Sequence, residues 1–139
     1  MEQLVELQLP NILGAEKEAI EKAVSIAKKM GFGRDRIEDL KTALAEACIN
    51  AIEHGNKFDK DKKFVVIMAA DKNSLQVDVL DEGEGIDKKK IPQKRVNENG
   101  FPKRRGYGVF LISNLMDDFS FEKIPGGGNT VKMLIQLQR

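Results

Sequence analysis

Three clusters in this chain combine residue types that chemistry uses with spacings that would bring them together. The first is Glu46-Ala47-Cys48-Ile49-Asn50-Ala51-Ile52-Glu53-His54-Gly55-Asn56. Glu46 and Asn50 stand one helical turn apart, so they project from the same side of a helix and flank its apolar stripe. A carboxylate beside an amide oxygen can orient a nucleophile and hold a hard cation such as Mg²⁺, which prefers oxygen ligands and keeps several waters. The pair also fits the solvated edge of an amphipathic helix, and alone it does not separate the two. His54, at the helix end, reads first as structural.

The second cluster is Asp81-Glu82-Gly83-Glu84-Gly85-Ile86. Leu75, Val77, Val79 and Asp81 share one face of a strand, which aims Asp81 toward the packed side. An unpaired carboxylate there is costly, so it needs a hydrogen-bond donor, and an exocyclic amine such as that of adenine is a fitting one. Gly83 and Gly85 let the backbone approach a flat ligand closely. The third cluster is Arg104-Arg105-Gly106-Tyr107-Gly108-Val109, where a basic segment meets a helix. Glycines at a helix N-terminus leave N–H groups open to phosphate, the helix dipole favours an anion there, and Arg105 could meet a terminal phosphate. A glycine turn after a strand and a hinge beside a solvated basic run are the plainer readings of these two.

The elements that must position these clusters follow from periodicity. Val5, Leu7 and Leu9 alternate with Leu4, Glu6 and Gln8 in a short strand that Pro10 closes. Ala19, Ile20, Ala23, Val24, Ala27 and Met30 give a helix over about 15–30, punctuated by Gly31 and Gly33. A second helix over about 34–53 carries the stripe Ile37, Leu40, Leu44, Ala47, Cys48, Ala51, which places Cys48 in core packing. Strands follow at 64–70 and 75–81 around the turn Asp71-Lys72-Asn73-Ser74. Residues 86–105, with Pro92 and Pro102, show no periodic pattern and read as a flexible lid or binding loop. There, eight basic residues face only Asp87 and Glu98, which invites an anion. A helix at about 109–116, a strand at 118–123, the hairpin turn Pro125-Gly126-Gly127-Gly128 and a closing strand with Val131, Met133, Ile135 and Leu137 on one face complete the chain. The order predicts an α+β two-layer sandwich and argues against a Rossmann sheet.

Composition narrows the class. The 139 residues suit one domain over 1–139, and 23 Lys and Arg against 22 Asp and Glu give a net charge of +1, with no global pull toward nucleic acid or an anionic membrane. One cysteine and one histidine rule out an internal disulfide and leave little for a thiolate or imidazole metal centre. No secretion signal or membrane-length apolar run is visible, so the expected location is cytoplasmic. A P-loop is absent, as are the His-Arg-Asp and Asp-Phe-Gly signatures of eukaryotic-type kinases.

In this order the clusters resemble the N, G1 and G2 boxes of the GHKL (Bergerat-fold) ATP-binding superfamily. Within it the chain is most similar to the small bacterial anti-sigma-factor serine/threonine protein kinases. The likeness continues through Gly106-Tyr107-Gly108-Val109-Phe110-Leu111-Ile112, Leu115-Met116-Asp117-Asp118 and Gly127-Gly128-Asn129-Thr130-Val131. It departs in the third box, which reads Gly-Tyr-Gly without a longer glycine run. The resemblance implies a mixed, mostly antiparallel sheet with helices on one face and an ATP lid over about 86–105. It makes Glu46 the general base and Asn50 the ligand of Mg²⁺ bridging the phosphates of ATP. Asp81, with Thr130 nearby through water, would recognise adenine in a pocket bounded by Gly83, Gly85 and Ile86. Arg105, Gly106, Tyr107, Gly108 and Val109 would serve the phosphates. The implied partners are a sigma factor, an anti-sigma-factor antagonist that receives the phosphate, and a second copy of the chain in a homodimer, with no direct nucleic acid or membrane contact. The alternative is a non-catalytic nucleotide-binding regulator that sequesters a sigma factor or another partner. The catalytic fragment of a histidine kinase is disfavoured, since the only histidine lies inside the first cluster.

Overall fold

Small side chains bring the two long helices together. Helix α1 (Glu16–Met30) buries Ala19, Ala23 and Ala27, and this alanine seam permits close approach to α2 (Arg34–Asn50), on which α1 packs. The N-terminus of α1 has no side-chain cap at Ala15; instead the Glu16 carboxylate accepts from the Gly14 N–H at 2.7 Å. Gly31, with φ of 98°, ends the helix by donating its N–H to the carbonyls of Ala27 and Lys28. The computed structural model describes residues 1–83 and 107–137, with residues 107–110 as backbone alone.

The expected second helix divides in two. Regular α-helical geometry ends at Asn50, and Ala51–Gly55 continue as a π-helical turn that the Asn56 N–H closes on the carbonyl of Ala51 at 2.7 Å. Such wider turns redirect the chain at the end of a helix. Ile37, Leu40, Leu44, Ala47, Cys48 and Ala51 are all buried, joined by Ala43 and Ile52. Burial pushes the Cys48 thiol far above its ordinary range, as a packing cysteine requires.

Among the described residues five strands form one sheet: β1 (Glu2–Pro10), β2 (Lys63–Ala70), β3 (Ser74–Asp81), β4 (Asp118–Lys123) and β5 (Asn129–Gln136). Their spatial order is β1-β2-β3-β5-β4, and every neighbouring pair is antiparallel, so the sheet is not mixed as expected. Edge strand β1 is longer than its alternation suggested. A register shift between Gln3 and Val5 sets Leu4 apart as a bulge. The inward face carries Phe64, Val66 and Met68 from β2, Leu75, Val77 and Val79 from β3, and Val131, Met133 and Ile135 from β5, all buried. They share one core with the helices.

The third helix, α3 (Tyr107–Leu115), begins two residues earlier than its pattern indicated and packs on α2. Arg36 ties its far end down. One guanidinium nitrogen donates to the Leu115 carbonyl and to Asp39, and another meets Asp117, each at 2.9 Å. Asp117 in turn accepts from the Gln136 N–H at 2.7 Å, so the same contact fixes the turn between α3 and β4 against β5.

Leu44 is fully buried in this core. Leu44→Ala is expected to cost about 2–5 kcal/mol through the cavity it leaves, read as a lower urea midpoint with an unchanged slope. A loss near zero would mean that the helix layer collapses around the site far more readily than its packing implies.

Candidate functional site

Asp81 is where the sheet delivers charge to its packed side. Strand periodicity carries it from buried Leu75, Val77 and Val79 onto the same face, at the point where β3 ends. The carboxylate is met by two donors: the Gly83 N–H reaches Oδ1 at 2.7 Å and the Asn129 amide reaches the same oxygen at 2.9 Å. Burial is the largest influence on its ionisation and raises its pKa above the ordinary value, with these hydrogen bonds pulling the other way.

The end of the π-helical turn closes onto this carboxylate. A Cβ on Gly55 would collide with both carboxylate oxygens of Asp81, and one on Gly83 would strike the Gly55 carbonyl. The first and second sequence clusters therefore touch, backbone against carboxylate, with no room for side chains between them. Upstream of the turn, half-buried Glu46 and Asn50 lie one helical turn apart near the end of α2. His54 is exposed, with Nε2 3.9 Å from the Glu53 carboxylate.

From the third cluster, Tyr107, Gly108 and Val109 form the first turn of α3, whose N–H groups have no partner within the helix. Gly85, Ile86, Arg105, Gly106 and the segment 86–105 lie outside the described residues.

Thr130 is not beside Asp81. The register pairs Asp81 with Asn129 and Leu80 with Thr130, so Thr130 belongs to the opposite face of the sheet. The side chain beside Asp81 is that of Asn129, which sequence reasoning passed over. The signal was present: Val131, Met133 and Ile135 point inward, and residue 129 shares their parity.

The donor set suits an amine-bearing base better than a caged metal. Asn129 is buried, and its Oδ1 has no hydrogen-bond partner among the described residues. With the Asp81 carboxylate it offers acceptors to a ligand that donates. Among the described residues no group of three or more His, Cys, Asp or Glu gathers to hold a metal. A cation here would rest on Asn50, substrate oxygens and water, an arrangement Mg²⁺ tolerates.

Gly128 offers a clean test of the close packing around Asp81. Gly126 and Gly128 have nearly the same φ, 92° and 97°, but a Cβ on Gly128 would strike the Asp81 carbonyl, whereas one on Gly126 meets nothing within 4 Å. Gly126→Ala is expected to cost about 1 kcal/mol from backbone strain alone, and Gly128→Ala at least about 2 kcal/mol more. Equal losses in chemical denaturation would show that β3 and β5 yield at this point.

Residues 9–135 match the family model described as the histidine kinase-like ATPase domain. Among curated relatives, the serine-protein kinase RsbW of Bacillus thuringiensis (strain Al Hakam) is 34% identical over 125 residues, covering 82% of this chain and 72% of the relative. The serine-protein kinase RsbW of Bacillus licheniformis is 35% identical over 122 residues, covering 82% and 73%. A crystal structure of RsbU and RsbW domains from Mycobacterium tuberculosis superposes with a TM-score of 0.68 at 19% identity, covering 98% of this chain and 33% of that one, a likeness of fold. Among the described residues no helix is long and apolar enough to cross a membrane. The matched span takes in the Asp81–Gly55 contact, the helix that leads to it and the strands that carry it, and the chain belongs to the histidine kinase-like ATPase domain family.

Proposed function

We propose that this chain is an ATP-dependent serine/threonine protein kinase, one domain over 1–139, that acts as an anti-sigma factor and phosphorylates an anti-sigma-factor antagonist. The observation that carries the reading is the closure of the Gly55 turn on the Asp81 carboxylate, which makes one site of two distant sequence clusters. Relatives named as serine-protein kinases, at 34% and 35% identity over most of the chain, support the phosphotransfer.

In this reading Asp81 accepts from the adenine amino group, with Asn129 at its side and Gly83, Gly85 and Ile86 bounding the base. Asn50 would hold Mg²⁺, which would neutralise phosphate charge and help align the transfer. The first-turn amides of α3, at Tyr107, Gly108 and Val109, and the neighbouring Gly106 and Arg105 receive the phosphates. Glu46 takes the proton of the acceptor hydroxyl as its oxygen bonds to the γ-phosphorus. The bond from that phosphorus to the bridging oxygen breaks, and ADP leaves with the electron pair. Transfer of this kind depends mainly on positioning and charge neutralisation, which suits a site assembled from backbone amides and a few fixed side chains. A sigma factor, the antagonist and a second copy of the chain are the proposed partners.

The deciding experiment supplies Mg-ATP labelled at the γ-phosphate and a candidate antagonist protein. Glu46→Gln is expected to lower transfer at least about 100-fold while ATP affinity changes by less than about threefold. ATP binding without transfer from the native chain to any antagonist would leave the non-catalytic regulator as the better reading.

The pH dependence has a definite sign. With its pKa raised, Asp81 gains a proton at a higher pH than an ordinary carboxylate, and a protonated carboxyl no longer serves as the full acceptor for an amine. ATP affinity should therefore fall as pH drops through that raised value, and Asp81→Asn should weaken ATP binding at least about tenfold and abolish this trend. For the fold the sign is opposite. The ionised group is disfavoured by burial above its raised pKa, and this cost disappears as pH falls. Asp81→Asn is thus expected to keep or raise the Tm at neutral pH, and a clearly lower Tm by calorimetry would refute the assignment of burial as the main influence.

A further inference from the structure

Asn56 immediately follows Gly55, is fully buried, and joins three segments through one side chain. Its Nδ2 donates to the Lys63 carbonyl at the start of β2 (2.9 Å) and to Oδ1 of Asn11 after β1 (3.1 Å). Its Oδ1 accepts the Glu82 N–H at 2.8 Å. These partners fix the orientation of the amide, since both groups facing Nδ2 are acceptors and the group facing Oδ1 is a donor. Asn11 is buried as well and donates to the Asp59 carbonyl at 3.0 Å, which tethers the outer side of the same loop.

The placement of the Glu82 bond sets it apart from general polar cross-linking. Pairing of β3 with β5 ends at Asp81, so Glu82 is the first residue beyond the ladder. Gly55 and Asn56 are neighbours in the chain, as are Asp81 and Glu82. The Asn56–Glu82 hydrogen bond therefore runs alongside the Gly55–Asp81 contact, and the Glu82 carboxylate accepts the Lys63 N–H at 2.8 Å beside it. Lys57 and Phe58 follow with φ of 49° and 59°, a left-handed pair without a glycine. The Phe58 side chain is exposed and contributes no core burial, while its N–H donates to the Ile52 carbonyl at 2.8 Å. Strained backbone of this kind persists only where surrounding bonds determine it.

We infer that Asn56 is a positioning residue for nucleotide binding: through the Glu82 N–H it holds the end of β3 against the Gly55 turn, and so sets the place of Asp81. The inference rests on the nucleotide reading of the site given above. Asn11 meets Nδ2 of Asn56 and tethers the outer loop but makes no bond to Glu82, so loss of its side chain is expected to leave the Asn56–Glu82 bond in place.

The test compares Asn56→Ser with Asn11→Ser in the full chain by thermal stability, ATP affinity, phosphotransfer and hydrogen exchange at individual amides. Both variants should lose stability. Asn56→Ser should weaken ATP binding at least tenfold, with transfer at saturating ATP within threefold of the native rate, whereas Asn11→Ser should change affinity by less than twofold. Exchange protection at the Glu82 amide should fall at least tenfold in Asn56→Ser and stay within threefold in Asn11→Ser. Asn56→Asp keeps the acceptor for Glu82 but sets a carboxylate against the Lys63 carbonyl and Asn11 Oδ1. It should retain more Glu82 protection and ATP affinity than Asn56→Ser, even if it is the less stable protein, and it serves as the reporter if Asn56→Ser does not fold. Affinity that follows stability across all three variants, or unchanged Glu82 protection in Asn56→Ser, would overturn the inference. Failure of the native chain to bind ATP would instead count against the proposed function, with the Glu82 exchange still deciding the role of Asn56 in placing the strand end.

Discussion

A carboxylate brought to the packed side of a sheet is the constraint around which this molecule is arranged. Asp81 stands where the apolar parity of β3 runs out, and burial disfavours its charge. The surrounding chain answers with an N–H from Gly83, an amide from Asn129 and the close approach of Gly55. An ionised group in such a place must be hydrogen-bonded or it will neutralise. The donors present fall on Oδ1, and a buried acceptor beside it, Asn129 Oδ1, has no partner among the described residues. Such a site is incompletely satisfied by the described residues, a condition that suits ligand recognition better than pure stability.

The rest of the scaffold serves to keep that point in place from two directions. From the helix layer, the alanine seam of α1 supports α2, and α2 delivers Glu46, Asn50 and the π-helical turn. From the sheet, the antiparallel pairing of β3 with β5 sets Asp81 opposite Asn129. Arg36 links the layers at the remote end of α3 by holding the Leu115 carbonyl and Asp117. The two sources of the site thus share a common core and cannot shift independently without disturbing it.

Much of the scaffold was legible because burial here follows simple periods. The inward parity of β3 and β5 and the apolar stripe of α2 match the buried residues, and even the core position of Cys48 could be read from spacing. Three features escaped. The π-helical turn was invisible because residues 51–55 continue a helical pattern, and only the hydrogen-bond register reveals the change. Family likeness points to Thr130, whereas strand parity and register set Asn129 beside Asp81. The polar hub at Asn56 carries no periodic signal, since its partners come from the ends of three different strands.

By itself, then, the sequence determined the layers, the apolar faces and the family, because each depends on local period or on motifs that survive as strings of residues. It also determined which residue types were available for chemistry. Which of them meet was decided by the tertiary structure. Antiparallel register chose Asn129 as the neighbour of Asp81, and the packing of α2 on the sheet brought Gly55 against the same carboxylate. Those contacts join segments far apart in the chain, and their distances follow from how closely a shared core allows the layers to approach.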